Sequence, residues 1–139
     1  PGNLGTILRT AEGAGVTGVI LSGDCADIYQ PKVVRAPMGS LFRVPFYRSE
    51  EIKREIEFLR DNGVKIYAAY LEGAECYDAM DYRAGSAFLI GNEGSGLTRE
   101  TAEAADERIR IPMEGKLESL NAGVSAALLV YEAARQRRA

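Results

Sequence analysis

Two segments in the last third of the chain constrain its fold more than any other feature. Residues 87–97 read AFLIGNEGSGL, and residues 110–136 read RIPMEGKLESLNAGVSAALLVYEAARQ. Each carries a short apolar strand into a Gly-rich or polar loop and then into a helix. Such units build mostly parallel α/β sheets, and the loops at the carboxyl ends of the strands are where those sheets hold nucleotide-like ligands.

The rest of the chain fits the same plan. Asn3 is placed to cap a helix that turns Ile7, Leu8 and Ala11 inward. A short buried strand is expected at 18–21, a helix opening at Pro31 with Val33 and Val34 and stopped or kinked by Pro37, and a strand at 44–47. Ser49 is expected to cap an amphipathic helix with Ile52, Ile56 and Leu59 on one face, closed by Asn62-Gly63. Strands follow at 64–71, 86–91 and 107–112, with a short helix capped by Thr98 between the last two. A final helix over 119–137 is expected to bury Leu120, Val124, Leu128 and Tyr131. Strands alternating with helices predict one α/β domain with a mostly parallel sheet flanked by helices.

Composition narrows the chemistry. The 139 residues suit one domain with a real core, and 46% hydrophobic with 27% charged content is that of a soluble globular protein. No apolar run approaches the roughly 20 residues of a membrane span, so no membrane role is expected. The two cysteines, Cys25 and Cys76, are too few for a disulfide framework and fit a reduced, cytoplasmic setting as inert core residues. With no histidine there is no Ser-His-Asp or Cys-His unit, and no metal site is expected. Any catalysis must use Arg, Lys, carboxylates, amides, hydroxyls or the backbone. A net charge of -3 lacks the basic footprint of most nucleic-acid binders. The chain opens at Pro1 without an initiator Met, and residues 1–139 are expected to be a catalytic domain lacking an N-terminal RNA-binding region.

Context sorts the glycine motifs. GAGVTG (13–18) matches G-x-G-x-x-G, but it follows a helix and feeds a strand, the reverse of a dinucleotide fingerprint, so it reads as a helix stop and turn. GNEGSGLT (91–98) lies between strand and helix, as a ligand loop should. Leu97 stands where a P-loop has lysine, which excludes a triphosphate cradle. A plain Gly-rich turn stabilised by Asn92 is the competing reading, set aside because Glu93 flanked by Gly91, Gly94 and Gly96 suits close backbone approach to a ribose or an adenine. Ser119 can serve as an N-cap, while Asn121 falls inside the first turn of the expected helix, where an amide has no structural need and reads as ligand-facing. Asn3 and Arg9, taken alone, read as a cap and a surface arginine.

Together these stretches resemble the three ordered motifs of the SpoU/TrmH family of RNA 2′-O-methyltransferases. The first motif is similar to Asn3, Gly5, Arg9 and Ala11, the second to 91–97, and the third to Ile111-Pro112-Met113 with Ser119-Leu120-Asn121 and the following helix. The stretch 32–46, KVVRAPMGSLFRVPF, resembles the family's linking region. The resemblance implies a SPOUT fold whose C-terminal segment is threaded into a deep trefoil knot. It also implies S-adenosyl-L-methionine as cofactor, RNA (rRNA before tRNA) as substrate, and a homodimer. It places Gly91, Asn92, Glu93, Gly94 and Gly96 on one side of the cofactor, and Ile111, Met113, Ser119, Leu120 and Asn121 on the other. Arg9 matches the family's catalytic arginine, with Asn3, Glu93, Ser119 and Asn121 positioning arginine, RNA and cofactor. A guanidinium holds its proton too tightly to be a good base, so Arg9 is expected to bind the RNA phosphate and polarise the 2′-hydroxyl. Lys32, Arg35 and Arg43, with Arg48 beside them, form the best basic cluster for RNA, and Arg135, Arg137 and Arg138 form a second at the tail. Two other readings stay open: a non-catalytic subunit of the same fold, and a Rossmann-type NAD binder.

Overall fold

A computed structural model of the chain describes residues 2–22, 44–91, 96–117 and 120–139. The chain divides into two compact units, Pro1–Ile52 and Lys53–Ala139.

In the first unit, helix α1 (Gly2–Ala14) buries Leu8 and Ala11. It begins at Gly2, so Asn3 lies in its first turn and is not the residue that precedes it as a cap. Gly15 ends it: at φ +77 the chain turns left-handed, Val16 N donates to Ala11 O (2.9 Å) and Gly15 N to Glu12 O (3.1 Å). That is the stop expected of GAGVTG, made with a glycine because a Cβ disfavours this conformation. Strand β1 (Val19–Ser22) pairs in parallel with β2 (Phe46–Ser49), Val19 facing Phe46 and Ser22 facing Ser49. Leu21 and Val44 are buried. The helix expected at Pro31 with Val33 and Val34, and its break at Pro37, lie outside the described residues.

Helix α2 (Ile52–Asp61) follows, with Ile56 buried. Ser49 sits too early to be its N-cap. It is the last residue of β2, and its hydroxyl accepts Glu51 N (3.2 Å) in the turn before the helix. Asn62-Gly63 closes α2 as expected, with Val64 N donating to Leu59 O (3.0 Å). In the second unit come β3 (Lys65–Ala69), β4 (Glu75–Cys76) with a 3-10 turn (Tyr77–Ala79), β5 (Ser86–Leu89), α3 (Arg99–Ala104), β6 (Glu107–Arg110) and α4 (Ala122–Arg138). The sheet order is β4-β6-β3-β5, and every pairing is parallel. Central β3 buries Ile66, Tyr67 and Ala68 in succession, as a strand covered on both faces must. Two-residue β4 is too short to leave a periodic signal, and the sequence pattern missed it.

The core of this unit joins Tyr67, Tyr82, Ile109, Leu129 and Ala133. Tyr82 meets Tyr67 edge-on at 4.9 Å between ring centres, and Phe88 at 5.2 Å. Its buried hydroxyl donates to Tyr77 O, and desolvation pushes its pKa up. Helix α4 overturns one expectation. It buries Gly123, Ala126, Leu129 and Ala133, whereas Val124 (48%), Leu128 (37%) and Tyr131 (44%) are exposed and Leu120 is half-buried. Opposite faces of the helix are both apolar, and the one with small residues lets the helix approach the core more closely.

Candidate functional site

Because β3, β5 and β6 run parallel, their carboxyl ends open on one edge of the sheet, with β3 in the middle. From β5 the chain leaves through Ile90 and Gly91 into the second motif. From β6 it leaves through Ile111 into the third. The two expected ligand loops therefore start on either side of one strand, at the end of the sheet where such loops bind ligands.

The first loop closes tightly on itself. A Cβ built on Gly91 would overlap the backbone of Gly96 and Leu97, so only glycine permits this approach. Gly96 itself adopts φ +66. Thr98 then caps α3 as expected, its hydroxyl accepting Thr101 N (3.1 Å). The glycine spacing of this motif thus has a backbone cause. Asn92, Glu93 and Gly94 lie outside the described residues.

In the third motif, Ile111 is half-buried against the core cluster, so part of its apolar surface belongs to the fold. Met113 and Leu120 are half-buried too, and Ser119 lies outside the described residues. Asn121 corrects the sequence reading. Helix α4 starts at Ala122, and Asn121 is its N-cap, the amide oxygen accepting Gly123 N (2.8 Å) and Val124 N (3.2 Å). The amide does have a structural use, because the helix begins three residues later than expected and leaves its first N–H groups in need of acceptors.

Arg9 lies exposed on α1 in the first unit, with Asn3 on the same helix and Gly5 buried between them. Lys32, Arg35 and Arg43 lie outside the described residues. Arg48 is exposed on β2, while Arg135, Arg137 and Arg138 occupy the last turn of α4. Two of the expected tail cations have structural partners. Arg135 pairs with Glu132 (2.8 Å), and Arg137 donates to Tyr82 O (3.0 Å) and Ala84 O (2.9 Å).

The sequence reading missed the turn after β3, which emerges between the two motif loops. Here Arg99 reaches both carboxylate oxygens of Glu72 (3.1 and 2.9 Å), and Arg108 donates to Glu72 O (3.3 Å). Its only signal is LEG (71–73), a turn after an apolar strand, with nothing to say what it meets. An open polar groove lined by Glu57, Arg60, Lys65 and Asp106 lies instead at the amino end of β3. Arg60 and Asp106 pair there at 3.1 Å. Among the described residues no cluster of acidic or cysteine side chains could hold a metal ion, and no helix is long and apolar enough to cross a membrane.

Comparison with known proteins bears on this arrangement. The family described as "SpoU rRNA Methylase family" matches residues 1–131. The 23S rRNA (guanosine(2553)-2'-O)-methyltransferase RlmP of Bacillus subtilis is 37% identical over 131 residues, covering 94% of this chain and 52% of its own length. The AdoMet-bound rRNA methyltransferase of Sinorhizobium meliloti superposes with a TM-score of 0.91 at 40% identity, over 97% of this chain and 52% of its own. The SpoU methyltransferase AviRb of Streptomyces viridochromogenes, in complex with AdoMet, gives 0.88 at 38% identity, over 99% and 56%. This chain thus spans about half the length of the relatives it matches. With its paired loops at the carboxyl edge of a parallel sheet and a family match running from the first residue into α4, the chain belongs to the SpoU rRNA methylase family.

Proposed function

We propose that the chain is an S-adenosylmethionine-dependent RNA methyltransferase domain that methylates a ribose 2′-hydroxyl, with rRNA as the substrate class. The observation that carries the reading is the pair of motif loops leaving β5 and β6 on either side of β3, the first closed so tightly at Gly91 that no side chain fits. The residues suit the cofactor: backbone bare of a side chain and open at Gly96 admits an adenosine moiety, and half-buried Ile111, Met113 and Leu120 offer it apolar contact. Asn92, Glu93, Gly94, Ser119 and Asn121 complete the proposed set. When bound, S-adenosylmethionine supplies a methyl group already activated by a positive sulfur.

The chain's own contribution is then alignment. Arg9, charged at neutral pH, binds the RNA phosphate and polarises the attacking hydroxyl, with Asn3, Glu93, Ser119 and Asn121 orienting the reactants. Lys32, Arg35 and Arg43 contact the RNA backbone. Two further expectations of the family resemblance belong to this reading, the trefoil knot of the C-terminal segment and a cytoplasmic setting. So does a homodimer, supported by the outward stripe of Val124, Leu128 and Tyr131 on α4, apolar surface that a second copy would cover.

Calorimetric titration with S-adenosylhomocysteine, with NADH as control, tests the assignment. Selective binding of S-adenosylhomocysteine is expected, and the Arg9→Ala variant should keep that affinity while losing methyl transfer. Binding of NADH in its place would support the Rossmann alternative and sink this one.

A further inference from the structure

The turn after β3 is held from two sides. On one side Arg99, the first residue of α3, straddles the Glu72 carboxylate with a single Nη2 (3.1 and 2.9 Å). On the other, β6 supplies Arg108, whose Nη1 donates to Glu72 O (3.3 Å), and Ile109, whose carbonyl accepts Tyr70 N (3.2 Å). An isolated exposed ion pair is held weakly, but one built into a network of this kind has a defined geometry. Arg99 stands two residues beyond Leu97, whose backbone is packed on Gly91. A chain of contacts therefore runs from β6 through Glu72 and Arg99 to the exit of the second motif.

We propose that Glu72 and Arg99 are positioning residues, a clamp that ties the turn after β3 to the exit of the 91–97 loop and so sets the form of the cofactor site. The proposal rests on the cofactor reading given above. Neither residue needs to touch the ligand. Each acts through the backbone of Gly96 and Leu97. A neighbouring pair provides the control: Lys53 and Glu100 form another exposed ion pair, joining α2 to α3 through the residue next to Arg99.

The test compares Glu72→Gln, Arg99→Met, the double variant and Lys53→Met by S-adenosylhomocysteine titration, thermal melting, and amide exchange at Gly96 and Leu97 in the ligand-free protein. Each clamp variant is expected to lose about three- to fivefold in affinity, with faster exchange at Leu97 and an unchanged melting temperature. The double variant should lose no more than either single one, because both remove one interaction. Lys53→Met should alter neither affinity nor exchange. Full affinity in Glu72→Gln, additive losses in the double variant, or an equal loss in Lys53→Met would overturn the clamp. A wild-type chain that binds no S-adenosylhomocysteine overturns the cofactor reading itself, a result distinct from variants that bind as well as a binding wild type.

Discussion

Asn121 combines a structural role with a proposed functional one, and substitution can separate them. Its amide oxygen caps α4 through Gly123 N and Val124 N, while the functional reading places it at the cofactor. Aspartate caps as well as asparagine does, whereas alanine loses the acceptor and costs about 1 kcal/mol. Chemical denaturation should therefore show a loss of about that size in Asn121→Ala and none in Asn121→Asp. S-adenosylhomocysteine affinity should fall in both. Full affinity in the aspartate variant would leave capping as the residue's whole role. At this scale the sequence was legible wherever a residue's local backbone demanded it: Thr98 caps and Gly15 stops a helix. Gly91 was read as room for a ligand, whereas it is glycine because backbone of its own loop occupies the space of a side chain. The sequence misled at Asn121 because the helix start was set three residues early. Ser119 and Asn121 are both good caps, and nothing local chooses between them.

Helix α4 shows what an element's own pattern leaves open. Leu120, Val124, Leu128 and Tyr131 form a regular apolar stripe, and so do Gly123, Ala126, Leu129 and Ala133 on the opposite side of the helix. The period is the same for both, and only contact with the sheet selects the second. The larger side chains are then left outward, where the homodimer proposal puts a second copy. Leu128→Glu should leave the fold intact, because that side chain is already partly exposed, and should shift the sedimentation coefficient from that of a dimer to that of a monomer. A wild-type chain that sediments as a monomer at tens of micromolar would remove the dimer from the reading.

Across the second unit, the foot of α4 is fastened to the segment that leads into β5. Gln136 accepts Tyr82 N (2.6 Å) and donates to Met80 O (2.9 Å), and its amide also donates to Glu132 (2.9 Å). The Arg135 guanidinium hydrogen-bonded to Glu132 holds that carboxyl down at about 2, against an ordinary 4.5, with Gln136 adding to the effect. A depressed carboxylate contributes stability above its unfolded pKa and loses it as pH falls towards the folded value. The fastening should therefore weaken between about pH 4.5 and about pH 2. Thermal melts from pH 6 downward should find Glu132→Gln less stable than the wild type at pH 6, with the two curves converging through that window. A constant gap at every pH would show that the ionised carboxylate contributes nothing.

What the sequence determined by itself was local or repetitive in cause. The parallel α/β plan followed from apolar runs alternating with amphipathic ones, and the two loops followed from glycines and polar residues placed after strands. The family followed from three motifs in order. Tertiary structure alone decided that β3 lies between β5 and β6, and so that the two loops share one edge. It likewise decided which stripe of α4 faces the core, and that Glu72 meets Arg99 27 residues along the chain. These depend on which strands neighbour one another and how closely a helix can approach them. Such contacts join residues far apart in sequence, and leave no periodic trace in it.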